Sequence, residues 1–230
     1  MTERQQAILR AVVELYAKTA EPVGSLALAD MFEASSATIR HEMATLERLG
    51  YIYQPHISAG RVPTDKGYRE YVNAMPESKA DGRVSQAIAK RVKSAGEVDR
   101  AIRQAADSLA EITNNVGLAT TSDGLYFTGL AGLFGQPEFL VGSQAYEVAR
   151  LIDNLDEWLS EAAPSGRMSV FIGTENPIGK SSGASLIIAS FASPYSERAY
   201  VGVLGPTRQS YDKVMSLVEY TGNLLEEVVN

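Results

Sequence analysis

The sequence predicts an α+β protein made of three consecutive parts. Residues 1–75 show helical spacing of apolar residues followed by a short hairpin pattern, residues 76–115 continue as a helical connector, and residues 116–230 alternate between strand and helix patterns. With 230 residues, of which 45% are hydrophobic, the chain can bury a full core and its length suits two globular domains better than one.

The first helix is predicted to begin at a capping box. Thr2 stands three residues before Gln5, so each side chain can accept a hydrogen bond from the other residue's backbone N–H group. The segment Glu21–Ser25 contains proline and glycine and ends this helix. A second short helix follows, and Glu33 and Ala34 form a tight turn into a third helix.

The third helix has one buried and one exposed face. Ser35 or Ser36 can cap its amino end, and Ile39, Met43 and Leu46 recur at helical spacing to form a buried stripe. The residues opposite this stripe are small enough for the helix to enter a DNA major groove, which is about 12 Å wide. Arg40 is the candidate for a bidentate hydrogen bond to guanine. The DNA contacts predicted from this helix are Ser35, Ser36, Ala37, Thr38, Arg40, His41 and Thr45.

A β-hairpin with a turn-rich tip is predicted after the third helix. Gly50 can end that helix, residues 51–53 alternate as a strand, and Thr64 can cap the next helix. Arg61, at the far end of the hairpin, and His56 are expected to reach phosphates or a minor groove. The DNA contacts predicted from this segment are His56, Ser58, Gly60, Arg61 and Lys66. Helices followed by such a hairpin, called a wing, form a winged helix-turn-helix, which is a DNA-binding module.

A structural interpretation competes with this functional one. A short amphipathic helix is usually just packed against a core, and Arg40 alone would more often be a solvated surface charge. The ordered series of helices and wing favours DNA binding.

The composition argues against a metal, a cofactor or a catalytic site. The chain has two histidines and no cysteine, whereas zinc usually takes three or four His, Cys or carboxylate ligands, so His41 and His56 are interpreted as surface donors. Both histidines lie in the first domain, so no Ser/His/Asp set is indicated. Residues 173–181 resemble a phosphate-binding loop, but a strand pattern follows where that loop needs a helix. We therefore predict a protein that is not an enzyme.

The connector carries a short heptad-like seam. Apolar residues at 98, 102, 105, 109 and 112 are separated by four, three, four and three residues. This seam can pack against a second subunit or against the chain's own last domain, and the pattern favours neither. The first interpretation predicts Ile102 and Leu109 as dimer contacts.

The last domain shows a series of strand and helix patterns. Strands are predicted at residues 117–120, 125–128, 168–172, 185–191 and 200–204, and helices at residues 144–162 and about 211–228. This order predicts a sheet flanked by helices.

These segments resemble a known family. Residues 2–72 are similar to the amino-terminal domain of the heat-inducible transcription repressors of the HrcA family, especially at SSATIR, QPH-SAGR and PTDKGYR. The segments LFGQPEF and FIGTEN and residues 200–225 resemble the carboxyl-terminal part of the same family, in the same order. His41 and Ile57 depart from the family pattern, which commonly has an asparagine and a small polar residue at these positions.

The resemblance implies a function as well as a fold. It implies a GAF-like last domain with an antiparallel sheet, in a transcription repressor that binds an inverted-repeat operator of the CIRCE type as a homodimer. It further implies that the operator lies upstream of chaperone genes, that heat stress releases repression, and that the GroE chaperonin helps the repressor to hold its active form. Full-length relatives carry an inserted dimerisation domain that is missing from this chain.

The alternative is a small-molecule-sensing transcription regulator in which the GAF-like domain holds a ligand. An apolar cavity with a few polar groups in the last domain would favour this alternative, whereas a filled core would favour the repressor.

The charge is distributed unevenly along the chain. The formal net charge is −7, but residues 1–103 carry 15 basic and 13 acidic side chains, whereas residues 104–230 carry 6 and 15. DNA affinity depends on the local face rather than on the total. Glu33, Glu42 and Glu47 lie on or near the third helix, so weak binding by one module, and hence a dimer, is expected. A charged first helix and the lack of a long apolar run predict a cytoplasmic protein with no membrane partner.

Overall fold

The computed structural model describes residues 1–76, 79–140, 142–162, 164, 166–176 and 178–230 of the chain, which divides into two compact units. The winged-helix unit comprises Met1–Pro76 with Arg208–Ser210, and the sheet unit comprises Glu77–Thr207 with Tyr211–Asn230. Among the described residues, no helix is both long and apolar enough to cross a membrane.

The winged-helix unit has the predicted order of elements. It consists of α1 (Glu3–Thr19), α2 (Ser25–Met31), α3 (Ser36–Arg48), β1 (Ile52–Tyr53), β2 (Val62–Pro63) and α4 (Asp65–Asn73). The capping box of α1 is confirmed, because Gln5 N–H donates to Thr2 Oγ1 at 3.2 Å and Thr2 N–H donates to Gln5 Oε1 at 3.0 Å. The core of this unit is formed by side chains that are completely buried, among them Ile8, Leu28, Ile39 and Leu46.

The sheet unit contains one five-stranded antiparallel sheet with helices. Its elements are α5 (Gly82–Lys93), α6 (Val98–Thr113), β3 (Val116–Thr121), β4 (Gly124–Thr128), α7 (Leu130–Phe134), α8 (Gln144–Asp153), α9 (Leu155–Ala162), β5 (Met168–Ile172), β6 (Ala184–Ser193), β7 (Ser196–Pro206) and α10 (Tyr211–Val229). The strand order is β4-β3-β7-β6-β5, and every neighbouring pair runs antiparallel. The predicted strands and the antiparallel sheet are confirmed.

Helices cover both faces of this sheet. The helices α6 and α10 contact one face, while apolar side chains of α7, α8 and α9 form a buried cluster with the other. Successive residues of a strand point to opposite faces, and Leu186 and Ile187 of β6 are both completely buried. A central strand with both faces covered is therefore apolar along its whole length.

The helices predicted as a separate connector belong to the sheet unit. Ile102 and Leu109 are both 0% exposed, and their helix α6 packs on β3 and against α5 and α10. The predicted dimer contact through these two residues is wrong for this fold, because their side chains already fill the core of the subunit. Of the two packings that the heptad-like seam left open, the structure has the one against the chain's own last domain.

The helix predicted over residues 144–162 is divided into α8 and α9 at Asn154. The side-chain amide of Asn154 donates to the carbonyl of Arg150 at 2.7 Å, within the last turn of α8. The backbone N–H group of Trp158 donates to the carbonyl of Asn154 at 3.1 Å, which starts the hydrogen bonding of α9. Asparagine side chains compete with the backbone in this way and so favour helix ends over helix interiors.

Candidate nucleic-acid interface

The recognition helix candidate, α3, is capped at both ends by local contacts. Ser35 Oγ accepts a hydrogen bond from Thr38 N–H at 3.1 Å, which satisfies one of the unpaired donors of the first turn. At the other end, Gly50 has φ +78, and the N–H groups of Gly50 and Tyr51 donate to the carbonyls of Glu47 and Leu46 at 2.9 and 3.0 Å. This pair of bonds is a Schellman motif, so the helix stops where the wing begins.

The predicted DNA face of α3 is accessible within the winged-helix unit. The stripe of Ile39, Met43 and Leu46 is buried, as predicted, and holds the helix against the core. On the opposite side Ala37, Thr38, Arg40 and His41 are exposed, while Ser36 and Thr45 are half-buried. This face presents hydroxyl, imidazole and guanidinium groups without a bulky apolar side chain. The geometry fits entry of the helix into a major groove.

Arg40 is available for a new contact. Its guanidinium Nη2 lies 3.5 Å from the hydroxyl of Ser36, at the outer limit of a hydrogen bond, and the side chain is exposed. Such a weak contact costs little to exchange for a bidentate bond to a base edge.

Ser35 is committed to the structure of the helix. Its hydroxyl accepts from Thr38 N–H and lies 2.8 Å from the Thr38 hydroxyl, so it is part of the cap. The same hydroxyl pair also sits at the exposed amino end of α3.

Two of the three nearby carboxylates have partners within the unit. Glu42 Oε2 accepts a hydrogen bond from Gln5 Nε2 of α1 at 3.0 Å, and Glu47 Oε2 lies 2.9 Å from Arg61 Nη2. Arg61 Nε also donates to Glu47 Oε2 at 3.0 Å. The guanidinium therefore offsets the negative charge that would otherwise face DNA at the carboxyl end of α3.

Arg61 lies at the base of the wing and not at its far end, which corrects the placement drawn from the sequence. Its backbone forms a two-way antiparallel bridge with Val23, with N···O distances of 2.8 and 2.9 Å. Its side chain is only 20% exposed because it is held by Glu47. Both contacts are made within the winged-helix unit. The residue positions the wing.

Gly60 allows this attachment. A Cβ atom at Gly60 would lie 2.5 Å from the carbonyl carbon and oxygen of Val23, closer than any real contact. The wing can therefore approach the segment before α2 only if residue 60 has no side chain. Gly60, predicted as a DNA contact, has a structural role here.

The tip of the wing projects into solvent. His56, Ile57 and Ser58 are all exposed, Ile57 to 93%, and Ser58 has φ +77. Gln54 Nε2 donates to the carbonyl of Ala59 at 2.9 Å, and this hydrogen bond connects the two sides of the tip. An exposed apolar side chain at a wing tip can pack against sugars or base steps in a groove.

Lys66 is exposed but anchored. Its Nζ donates to the carbonyl of Leu49 at 2.8 Å and lies 4.5 Å from the centre of the Tyr51 ring. The ammonium group thus sits at the carboxyl end of α3, where a cation is favoured by the helix dipole. From this position it adds positive charge beside the DNA face.

Arg48 was not among the residues predicted from the sequence to contact DNA, and the structure leaves it exposed in the last turn of α3. It follows Ala37, His41 and Ala44 at steps of four, three and four residues, and all of them are exposed. This helical spacing is visible in the sequence and could have indicated Arg48 as a further residue of the exposed face. Arg48 is placed for a phosphate contact along the same face.

Comparisons with known proteins agree with this geometry. A model of the winged helix-turn-helix transcription repressor HrcA DNA-binding domain matches residues 1–77, and a model of the HrcA protein C terminal domain matches residues 66–215. The heat-inducible transcription repressor HrcA of Thermobifida fusca is 47% identical over 124 residues, which are 51% of this chain and 35% of that protein. The matched segment thus spans about a third of that relative.

Two further comparisons cover the whole chain. The heat-inducible transcription repressor HrcA of a Cyanothece species is 26% identical over 356 aligned positions, which include all of this chain and 98% of that protein. A crystal structure described as a hypothetical protein has the same fold, with a TM-score of 0.81 at 21% identity, covering 100% of this chain and 98% of the other. Because one family model matches well over half of its residues, this chain belongs to the HrcA family.

Proposed function

We propose that this protein is a transcription repressor that binds an inverted-repeat operator of the CIRCE type, upstream of chaperone genes, as a homodimer. The observation that carries the proposal is the accessible face of α3, where Arg40 and His41 are exposed and the adjacent Glu47 is paired with Arg61. The relatives named as heat-inducible transcription repressors support repression of transcription and its release by heat.

The proposal extends to partners and location. A dimer holds two α3 helices at the spacing of two half-sites, which an inverted repeat requires. We place its interface outside Ile102 and Leu109, which are buried in the subunit. A GroE-type chaperonin is proposed as the partner that helps the repressor to hold its active form. The protein is expected to act in the cytoplasm, without catalysis.

The absence of the inserted dimerisation domain limits the surfaces that can form the dimer. The alignment with the Cyanothece relative has 356 positions for 230 residues here, so at least 126 positions (356 − 230) have no counterpart in this chain. This supports the interpretation that a segment of the relatives is absent. The dimer contact therefore has to be formed by surfaces other than that segment.

The alternative of a small-molecule sensor predicted an apolar cavity in the last domain. Apolar side chains of α7 to α9 pack on the sheet in a buried cluster, where Leu118, Leu133 and Leu186 are each 0% exposed. This filled core supports the repressor over the sensor.

The test measures binding of the full chain to a duplex that carries the inverted repeat upstream of the organism's chaperone genes. The control duplex has the same composition with one half-site scrambled. We expect the intact repeat to bind about a thousandfold more tightly than random DNA at physiological salt. Scrambling one half-site should remove most of this difference. Equal affinity for all duplexes contradicts the proposal.

A further inference from the structure

The tip of the wing presents one apolar side chain to solvent. Ile57 is 93% exposed, more than any other large hydrophobic side chain in the described part of the chain. Covering such a side chain would be favourable, because burial of apolar surface releases free energy. Single exposed hydrophobic residues are common on protein surfaces, so this exposure is informative only together with the way in which the tip holds Ile57.

The tip is a hydrogen-bonded turn with Ile57 near its apex. Ala59 N–H donates to the carbonyl of His56 at 3.0 Å, and Ser58 has φ +77. A positive φ at the third residue of the turn and not at the second is typical of a type II turn, in which Ile57 is the second residue. The hydrogen bond from Gln54 Nε2 to the carbonyl of Ala59 supports the turn from below. The tip therefore holds Ile57 in a defined position, away from the core of the unit.

The base of the wing is fixed to α3. The Arg61 guanidinium lies 2.9 Å from the Glu47 carboxylate in the last turn of that helix, and the Arg61 backbone is bridged to Val23. When α3 lies in a major groove, an element that projects from its carboxyl end approaches the phosphate backbone and the adjacent minor groove, which is about 6 Å wide. Because the wing is already fixed, little freedom is lost when Ile57 reaches this groove.

The chemistry of the tip favours DNA over a protein partner. Residues 49–64 contain no acidic side chain, so nothing in this segment repels a polyanion. Ile57 is also the only large apolar residue among residues 56–60. A single side chain is too small for a stable protein–protein interface, which buries about 800 Å² on each partner. It does have the size of the apolar wedges that minor-groove proteins insert between base pairs.

We propose that Ile57 is such a wedge, which enters the minor groove beside each half-site and partly separates one base step. The inference rests on the proposed operator binding and adds a residue that determines its specificity. Insertion of a wedge kinks the duplex toward the major groove by about 20° or more. Pyrimidine–purine steps such as TA unstack easily, whereas A-tracts are stiff. Ile57 thereby makes the affinity depend on base pairs that α3 does not contact.

The test measures binding of the full chain to operator duplexes that differ only outside the half-sites, where each flanking step is set in turn to TA or to AA. Both steps present the same hydrogen-bond acceptors in the minor groove, so a difference in affinity reports deformability and not direct reading of the bases. We expect one step on each side at which TA binds about tenfold more tightly than AA. Fluorescence resonance energy transfer between the duplex ends should show a bend of about 20° or more.

Variants of Ile57 separate the wedge from the rest of the interface. Ile57→Ser should remove the preference for TA and the bend, and should weaken binding to the TA operator about tenfold, whereas Ile57→Leu should keep all three properties. Tyr195→Ser is the matched control, because Tyr195 is 52% exposed in the turn between β6 and β7, and it should change none of them. All three variants should keep the native melting temperature, since the replaced side chains are exposed.

The outcomes distinguish this inference from the proposed function. A native chain that binds the operator no better than random DNA overturns both. Specific binding that does not depend on the flanking steps, or an Ile57→Ser variant with full affinity and an unchanged bend, overturns the wedge alone. The wedge is also overturned if Ile57→Ser changes the sedimentation of the protein without DNA, because Ile57 would then be a contact between subunits.

Discussion

Arg40 and Arg61 show how neighbouring contacts give one residue type two roles. Arg40 is exposed and reaches only a serine hydroxyl at 3.5 Å, so its charge faces solvent. Arg61 is 20% exposed, with both its backbone and its guanidinium engaged. At the residue scale, Arg40 is therefore the candidate for reading bases, and Arg61 is the residue that holds the wing.

For Arg40→Ala we predict a loss of operator affinity of about 1 to 3 kcal/mol with little change on random DNA, because a bidentate base contact discriminates sequence. Arg48→Ala is the matched control on the same face and should weaken binding to the operator and to random DNA equally, as loss of a phosphate contact does. Fluorescence anisotropy with an operator duplex and with a random duplex measures the two affinities of each variant. An equal loss on both duplexes for Arg40→Ala would reduce this residue to a phosphate contact.

For Arg61→Ala we predict lower stability and an unchanged salt dependence of DNA binding. The pair with Glu47 is mostly shielded from solvent, so its loss should cost about 1 to 2 kcal/mol in urea unfolding. Glu47→Ala and the double variant complete a cycle in which the two losses are not additive. If Arg61→Ala instead flattens the salt dependence at full stability, the guanidinium contacts DNA.

The wing is held by a contact between distant segments, so at the element scale its geometry depends on the turn before α2. The strands β1 and β2 contain only two residues each, too few to hold a hairpin by themselves. The bridge between Val23 and Arg61 adds a third short segment to this small sheet. The wing is thereby fixed relative to α3 inside one unit.

For Gly60→Ala we predict a loss of about 2 kcal/mol or more, because the added Cβ would displace the Val23 carbonyl and break the bridge. Gly24→Ala is the matched control, since a Cβ at Gly24 has nothing within 4 Å. Urea unfolding measures the stability, and DNA binding should fall in parallel for Gly60→Ala alone. Similar stability of the two variants would mean that the bridge contributes nothing.

The helix α6 gives the second prediction at this scale. Ile102→Asp places a charge in a fully buried position, which should unfold the sheet unit rather than produce a folded monomer. Arg100→Asp, at an exposed position of the same helix, should stay folded. Circular dichroism and sedimentation velocity distinguish the outcomes. If Ile102→Asp gave folded monomers, Ile102 would be a dimer contact after all, contrary to the burial of its side chain within the subunit.

At the scale of the whole molecule, the two units carry different charge. The winged-helix unit, residues 1–76 with 208–210, carries 9 basic and 9 acidic side chains, and the rest of the chain carries 12 and 19. The winged-helix unit is thus neutral overall, while the sheet unit is acidic. Because a repressor needs both half-sites held together, loss of either unit's fold would release the operator.

We predict that the response to heat is loss of folded protein. Marginal stability makes a small rise in temperature sufficient to unfold a domain, and DNA that binds only the folded form raises the melting temperature by mass action. The segment from Gly117 to Gly142 is rich in glycine, so the sheet unit is expected to unfold first. Circular dichroism and operator binding are measured over the same temperature range. Binding that persists far above the growth temperature contradicts this prediction.

Local patterns in the sequence determined most of the elements of this protein. Caps such as Thr2 with Gln5 and Ser35 with Thr38 act over three residues, and apolar periodicity reports one helix or strand at a time. The helices of the winged-helix unit, the strands of the sheet and the exposed face of α3 were therefore predicted correctly. The break at Asn154 was not predicted, because it depends on a hydrogen bond from the Asn154 side chain to the carbonyl of Arg150, and the periodicity of apolar residues carries no information about such a bond.

Only the tertiary structure decided which surfaces those elements use. The same seam on α6 could pack against a second copy or against its own sheet, and the fold buries Ile102 inside the subunit. Arg61 meets Glu47 across 14 residues, and Tyr200 N–H meets Thr120 Oγ1 across 80. Contacts over such separations depend on how complete elements pack, because side chains distant in sequence become neighbours only after the chain has closed its core.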